Sequence, residues 1–344
     1  MRALALVFAL IATPAAAQGF AGLGTQAEGF AEVTPAKPIA FPADHGAHPD
    51  YRIEWWYLTA NLTGEDGTPY GIQFTLFRQA SAPPPQREGW ASQQFWLGHA
   101  ALTTPERHLY AEKAARGGTG QAGVETRPFA AWIDDWSMAG DDPSDVRLRV
   151  EAEAFAYDLA LAADGPFVKQ GVEGYSVKSD RGQASYYYSQ PYYAASGTLT
   201  VGGEAIPVTG TAWMDREWST QPLAPDQSGW DWFSLNLGPR TKLMLFRLRQ
   251  DDGSHYLSGN WIEGARSTRL EGDEIEIEPL GTAQVGAREV PVRWHVRLPG
   301  RGVDVAVEAL NEQAWNGTSI GYWEGPVTTS GTHDAVGYLE MTGY

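Results

Sequence analysis

The stretch Trp55-Trp56-Tyr57-Leu58-Thr59-Ala60-Asn61-Leu62 returns much later in the chain as Trp230-Asp231-Trp232-Phe233-Ser234-Leu235-Asn236-Leu237. Each copy is followed by a turn and a second apolar run with a shared triplet, Leu76-Phe77-Arg78 and Leu245-Phe246-Arg247. Two matches in the same order imply a duplicated supersecondary unit, and the period is far too long for a solenoid. Aligning Trp55 with Trp230 and Asn61 with Asn236 makes each copy the opening hairpin of its own β domain, with the turn Gly64 to Pro69 longer than Gly238 to Arg240. At 344 residues the chain is long enough for two domains that each bury a core.

Strand signals dominate elsewhere. Val290, Val292, Trp294, Val296 and Leu298 alternate with polar or proline positions, and Val303, Val305 and Val307 repeat the pattern after a Pro-Gly-Arg-Gly turn. Leu148 and Val150 alternate with charged neighbours, as do Ile275 and Ile277. One short helix is expected, around Pro105 to Ala115. Many short strands between Gly and Pro turns predict an all-β chain of antiparallel barrels, the architecture that removes exposed edges. Aromatic residues form 12% of the sequence, more than cores of Val and Leu need, so part of the excess is free to line a cavity. Trp56, Trp232 and Trp323 are candidates for that role.

Residues 1–17 carry Arg2, an apolar run from Ala3 to Ala12 and the small site Ala15-Ala16-Ala17, which predicts a cleavable signal peptide and a periplasmic or secreted protein. The run is too short to span a bilayer, so no integral membrane segment is expected in the mature chain. Residues 18–42 read as an extended lead-in, 43–209 as the first barrel and 210–344 as the second. Cysteine is absent, which excludes thiol nucleophiles, thiolate metal sites and a lipoprotein anchor. The net charge of -17 repels phosphate backbones and argues against nucleic-acid binding.

Gly210 to Trp218 is where chemistry is expected. As a strand it places Trp213, Asp215 and Glu217 on one face, where burial and like charge raise a carboxyl pKa and leave a neutral acid able to donate a proton. The competing reading is a hydrogen-bonded structural pair between domains, one carboxylate bridged to an arginine. Tyr186 and Tyr188 share a face of the preceding segment and are candidates to orient a ligand or steady a cation, or else simply pack. Gly317-Thr318-Ser319-Ile320-Gly321 fits the nucleophile-elbow pattern but no helix is expected after it. Asp44, His45 and His48 sit in a loop that lacks the helical zinc-binding frame, and no phosphate loop is present, so neither a metal nor a cofactor is expected.

Glu54-Trp55-Trp56-Tyr57, the Trp213 to Trp218 block, Tyr322-Trp323-Glu324-Gly325 and the terminal Gly337 to Tyr344 together resemble the AttH and carotenoid 1,2-hydratase superfamily. The resemblance implies two tandem lipocalin-like barrels. It implies, for the hydratase branch, cofactor-independent addition of water to an isoprenoid double bond, with the acid falling on Asp215 and its aromatic neighbour on Trp213. That branch's upstream His and Trp fall on Tyr186 and Tyr188, a departure that removes an imidazole. Exported relatives of the superfamily lie beside ABC transporter components, and others are cyclases acting on polyenes. Two functions follow as expectations: a carrier of a hydrophobic small molecule serving an export or envelope pathway, or an alkene hydratase, isomerase or cyclase using Asp215, with Glu217 as second candidate.

Overall fold

The computed structural model describes Leu23, Thr25 and residues 28–344. The expected signal peptide, residues 1–17, lies outside the described residues. From 28 to 42 the chain forms turns and extended segments, followed by a 3-10 turn at Ala43–His45.

Two antiparallel sheets account for nearly everything after that. The first contains β1 (Ile53–Gly64), β2 (Pro69–Ala80), β3 (Gln94–Thr103), β4 (His108–Arg116), β5 (Ala122–Thr126), β6 (Phe129–Ile133), β7 (Trp136–Asp142), β8 (Asp145–Glu151), β9 (Phe155–Ala163), the short β10 (Val168–Lys169) and β11 (Tyr175–Val177), and the long β12 (Ala184–Val201) and β13 (Glu204–Ser219). The second contains β14 (Gln227–Asn236), β15 (Thr241–Gln250), β16 (His255–Glu263), β17 (Arg266–Leu270), β18 (Glu276–Val285), β19 (Arg288–Leu298), β20 (Val303–Ala309), the short β21 (Trp315–Asn316), β22 (Tyr322–Gly331) and β23 (Ala335–Thr342). The strand orders are β4-β3-β2-β1-β13-β12-β9-β8-β7-β6-β5 and β17-β16-β15-β14-β23-β22-β20-β19-β18. Matched from their β4 and β17 ends, the two orders have the same connectivity, and the first carries β5 and β6 in addition. The duplication therefore extends through the whole domain rather than stopping at one hairpin.

Cross-strand pairing corrects the alignment of the copies. Glu54 pairs with Arg78, Trp55 with Phe77 and Trp56 with Leu76; the corresponding pairs are Asp231 with Arg247, Trp232 with Phe246 and Phe233 with Leu245. Trp55 thus corresponds to Trp232, not Trp230. An offset of two residues keeps every side chain on its own face, so the apolar pattern alone does not distinguish the two alignments. Both turns, 65–68 and 237–240, are equally long, and it is the first hairpin's strands that run further. The boundary expected between 209 and 210 falls inside β13, which is paired along its length with β1 and β12, so the first sheet continues to Ser219. The helix expected around Pro105 to Ala115 is instead strand β4, held to β3 from Phe95↔Arg116 to Thr103↔His108. A modest helical preference gives way to that edge pairing.

Side-chain parity decides what each sheet face does. Trp56, Leu58, Ala60 and Leu62 of β1 enter the first core with Tyr186, Tyr188, Met214 and Trp218. Phe233, Leu235, Leu339, Met341 and Trp323 enter the second. The opposite faces of the same strands meet each other: Tyr57, Tyr187, Trp213, Trp232, Phe246 and Tyr338 belong to a third buried cluster between the sheets. Asn61 Nδ2 donates across that interface to the Gly337 carbonyl at 2.9 Å. Gly71 of β2 lies so close to Pro326 of β22 that a Cβ there would stand 2.5 Å from its Cγ. Gly71→Ala is expected to force the sheets apart at this point and cost about 1–3 kcal/mol, read from urea unfolding.

Candidate functional site

A cavity of ≈ 120 Å³ opens between the two sheets. One water needs roughly 10–15 Å³ by such a measure, so the space holds several waters or part of a larger apolar molecule. Its walls are mostly aromatic and aliphatic, with Trp55, Tyr57 and Phe77 from the first sheet opposite Trp230, Trp232 and Phe246 from the second. Into this lining project Asp215, Glu217, Glu340, Lys178, Tyr187 and His99.

β13 delivers two of the carboxylates because Trp213, Asp215 and Glu217 share its outward parity. Asp215 is 3% exposed. Its Oδ1 accepts from Ser189 Oγ at 2.5 Å and Trp213 Nε1 at 2.6 Å, and its Oδ2 contacts the Tyr187 hydroxyl at 2.6 Å. Trp232 Nε1 in turn donates to that hydroxyl at 3.2 Å, tying the acid to the second sheet. Burial drives the Asp215 pKa up to about 7, reinforced by the charge of Glu217 and opposed by the three hydrogen bonds. Near neutral pH the group therefore exists in both protonation states, which is what proton donation requires.

Glu217 is handled differently. Lys178 Nζ lies 3.0 Å from its Oε1, and the Ser185 hydroxyl also donates to it. Lys178 is itself buried, which lowers its pKa against the pull of Glu217, and its ammonium sits 3.7 Å from the Phe246 ring centroid. The structural pair weighed from sequence thus exists, with a lysine in place of an arginine. Arg216 points to the other face, where it binds Glu54.

Glu340 of β23 lines the cavity from the second sheet. Trp230 Nε1 donates to its Oε1 at 2.6 Å. Burial raises its pKa to about 7, with the charges of Asp215 and Glu217 adding to the shift and the Trp230 hydrogen bond opposing it. Behind it Glu324 is fully buried, and burial together with the Glu340 charge keeps its pKa well above the usual range.

Of the residues nominated from sequence, Asp215, Glu217 and Trp232 line the cavity, and Trp213 braces Asp215 from just behind it. Trp56, Tyr186 and Tyr188 point into the first barrel core and Trp323 into the second, so none of the four reaches the cavity. The parity of β12 sends Tyr187, the middle residue of the triplet, to Asp215. Tyr186 instead exchanges hydrogen bonds with the Thr34 backbone, and Tyr188 with His45 Nδ1 at 2.7 Å. In the Asp44 to His48 loop, His48 bridges Asp44 and Glu54 at 3.0 and 3.1 Å and stacks on Trp218. Among the described residues no cluster of three or more His, Cys, Asp or Glu side chains is arranged to hold a metal. The segment from Gly317 to Gly321 runs into strand β22 rather than a helix, and its Ser319 is bound to Glu112.

This combination of tandem curled sheets and blocks along the whole chain is matched by a known family over residues 32–344. The chain belongs to the AttH-like family. A crystal structure assigned to AttH from Nitrosomonas europaea is 34% identical, with 92% of this chain and 99% of that one covered and a TM-score of 0.84. Kievitone hydratase from Nectria haematococca shares the fold at 17% identity, covering 93% of this chain and 98% of its own, with a TM-score of 0.66. The two sheets are the tandem lipocalin-like barrels of these AttH-like neighbours. Comparison with curated proteins returned no match. No helix among the described residues is long and apolar enough to cross a membrane.

Proposed function

We propose that this AttH-like protein is an exported enzyme that adds water to, or removes it from, a carbon–carbon double bond of an apolar substrate held between its barrels. The observation that carries the reading is Asp215, a carboxyl with its pKa near 7 in an aromatic cavity. Protonating an alkene demands an acid kept neutral and water-poor until the substrate arrives, and desolvation supplies both conditions. Tyr187, Ser189 and Trp213 fix the carboxyl's orientation. As the proton moves to carbon, positive charge develops on the substrate, and the aromatic rings of Trp55, Trp230 and Trp232 that line the cavity can stabilise it. A hydratase on the same architecture lends support. Export rests on the signal-like residues 1–17. A passive carrier for an export or envelope pathway would use the same apolar walls, but carrying requires no carboxyl poised at neutral pH.

The test is incubation of the protein with acyclic isoprenoid alkenes and their tertiary alcohols in heavy-oxygen water. One alkene–alcohol pair is expected to interconvert, with the label entering the alcohol, read by mass spectrometry. A ligand that co-purifies stoichiometrically and is returned unchanged would replace the enzyme with a carrier.

A further inference from the structure

The corrected alignment of the two halves exposes an asymmetry. Glu217 pairs across the sheet with Trp55, and Glu340 pairs with Trp232, the equivalent tryptophan. The two glutamates are therefore the same position in the two barrels, and both line one cavity. The first is neutralised by the Lys178 ammonium at 3.0 Å. Among the described residues the second has no cation paired with it: the neutral Trp230 indole donates to its Oε1, and part of its surface remains accessible. Asp215 and Glu340 thus face one apolar space from opposite sheets, and Trp232 links them, as Glu340's cross-strand partner and as donor to the Tyr187 hydroxyl that contacts Asp215.

We propose that Glu340 is the second catalytic carboxylate of the cavity, the base that takes a proton from the water captured by the substrate cation. The inference rests on the hydratase reading above. In the forward direction Asp215 transfers its proton to one alkene carbon, the π pair forming the new C–H bond and leaving the cation on the neighbouring carbon. A water oxygen forms the C–O bond, and its surplus proton passes to the Glu340 carboxylate. Alkene and water have become alcohol, Asp215 is ionised and Glu340 is neutral; transfer of one proton back through water in the cavity restores the starting state. Dehydration runs the same steps reversed, with Glu340 as acid and Asp215 as base. The division of labour needs one carboxyl protonated and the other ionised at the same pH. Mutual repulsion between two desolvated acids produces such a pair, and both lie near pKa 7 here. Glu217 is already paired with the Lys178 ammonium, and Glu324 lies outside the cavity lining. The Tyr187 hydroxyl is already engaged, at Asp215 Oδ2 and by the Trp232 indole N–H.

Two measurements test this in the full chain. N,N-dimethyldecylamine, protonated at neutral pH, mimics the cation and needs no knowledge of the substrate. Calorimetry at pH 7 in buffers of different ionisation enthalpy is expected to show wild-type protein releasing protons as the amine binds. Glu340→Gln should release markedly fewer and bind about tenfold more weakly, the equivalent of one pKa unit, while still binding 1-decanol as wild type does. With the alkene identified in heavy-oxygen water, Glu340→Gln should lose alcohol formation yet still exchange solvent deuterium into the alkene, because Asp215 protonates it reversibly. Wild-type amine affinity and proton release in Glu340→Gln, or undiminished hydration by it, overturns the role of Glu340. A variant that neither binds decanol nor unfolds cooperatively is replaced by Glu340→Met, which also lacks the carboxyl and for which the same amine readouts decide. Failure of the hydratase reading registers separately, as wild-type protein that neither hydrates nor exchanges any alkene.

Discussion

Asp215→Asn is expected to give a folded protein whose turnover falls by about 10²- to 10⁴-fold, the usual worth of a positioned proton donor. The amide keeps the shape: its oxygen still accepts from Ser189 and Trp213, and its nitrogen can donate to the Tyr187 hydroxyl in place of the acid proton. Apolar ligand binding should survive. The same variant carries a stability signature with a defined sign. Asp215 has a raised pKa in the folded state, so its favourable contribution is complete below the unfolded value near 4 and is lost as pH climbs to about 7. Within that window it makes stability fall by up to about 1.4 kcal/mol per pH unit. Asp215→Asn should remove that share of the slope, so urea midpoints compared at pH 5 and pH 7.5 should converge. A variant with full turnover, or one whose stability keeps the wild-type pH slope, would return Asp215 to a purely architectural role.

How far this site could be read from the chain follows from which signals have period two. Alternation alone puts Trp213, Asp215 and Glu217 on a common face, and β13 has that parity. Alternation equally grouped Tyr186 with Tyr188, but nothing local says which face of β12 looks toward the other barrel. The cavity took Tyr187 instead. Glu340 carries no local signal, because its relation to Glu217 depends on strand pairing between segments far apart in the chain. With Glu54 set against Asp231, the pairing of β1 with β13 and of β14 with β23 puts Glu340 at the position of Glu217. Lys178 had no signal of its own, because it follows β11 in a loop whose position depends on contacts far apart in sequence. The all-β class was legible because burial is repeated strand after strand; β4 was not, because an edge strand lies half in solvent and its pattern is weak.

Glu54→Ala is expected to destabilise the protein by about 3–5 kcal/mol, the cost of leaving buried charge without its counter-ion. Glu54 is fully buried and holds Arg78 and Arg216, themselves buried, while His48 donates its backbone N–H at 2.8 Å. Burial alone would push the Glu54 pKa up, but the two guanidiniums outweigh it and hold the carboxyl well below the usual range. Arg78 would retain donors' partners in the Tyr51 and His48 carbonyls, and Arg216 would keep its place over the Trp56 ring at 3.7 Å, so the loss is chiefly one of charge compensation. The second barrel supplies an internal control, since Asp231 occupies the position of Glu54 and pairs with Arg247 at 2.7 Å and Arg249 at 2.5 Å. Those arginine side chains are 10% and 12% exposed, against 1% and 0% for Arg78 and Arg216. Water can therefore partly solvate them once the acid is gone, and Asp231→Ala should cost less than Glu54→Ala. Urea unfolding of the two variants checks both the size and the order. If Asp231→Ala proves the more damaging, solvent access does not set the cost, and the duplicated acid–arginine pair contributes by some means other than compensation of buried charge.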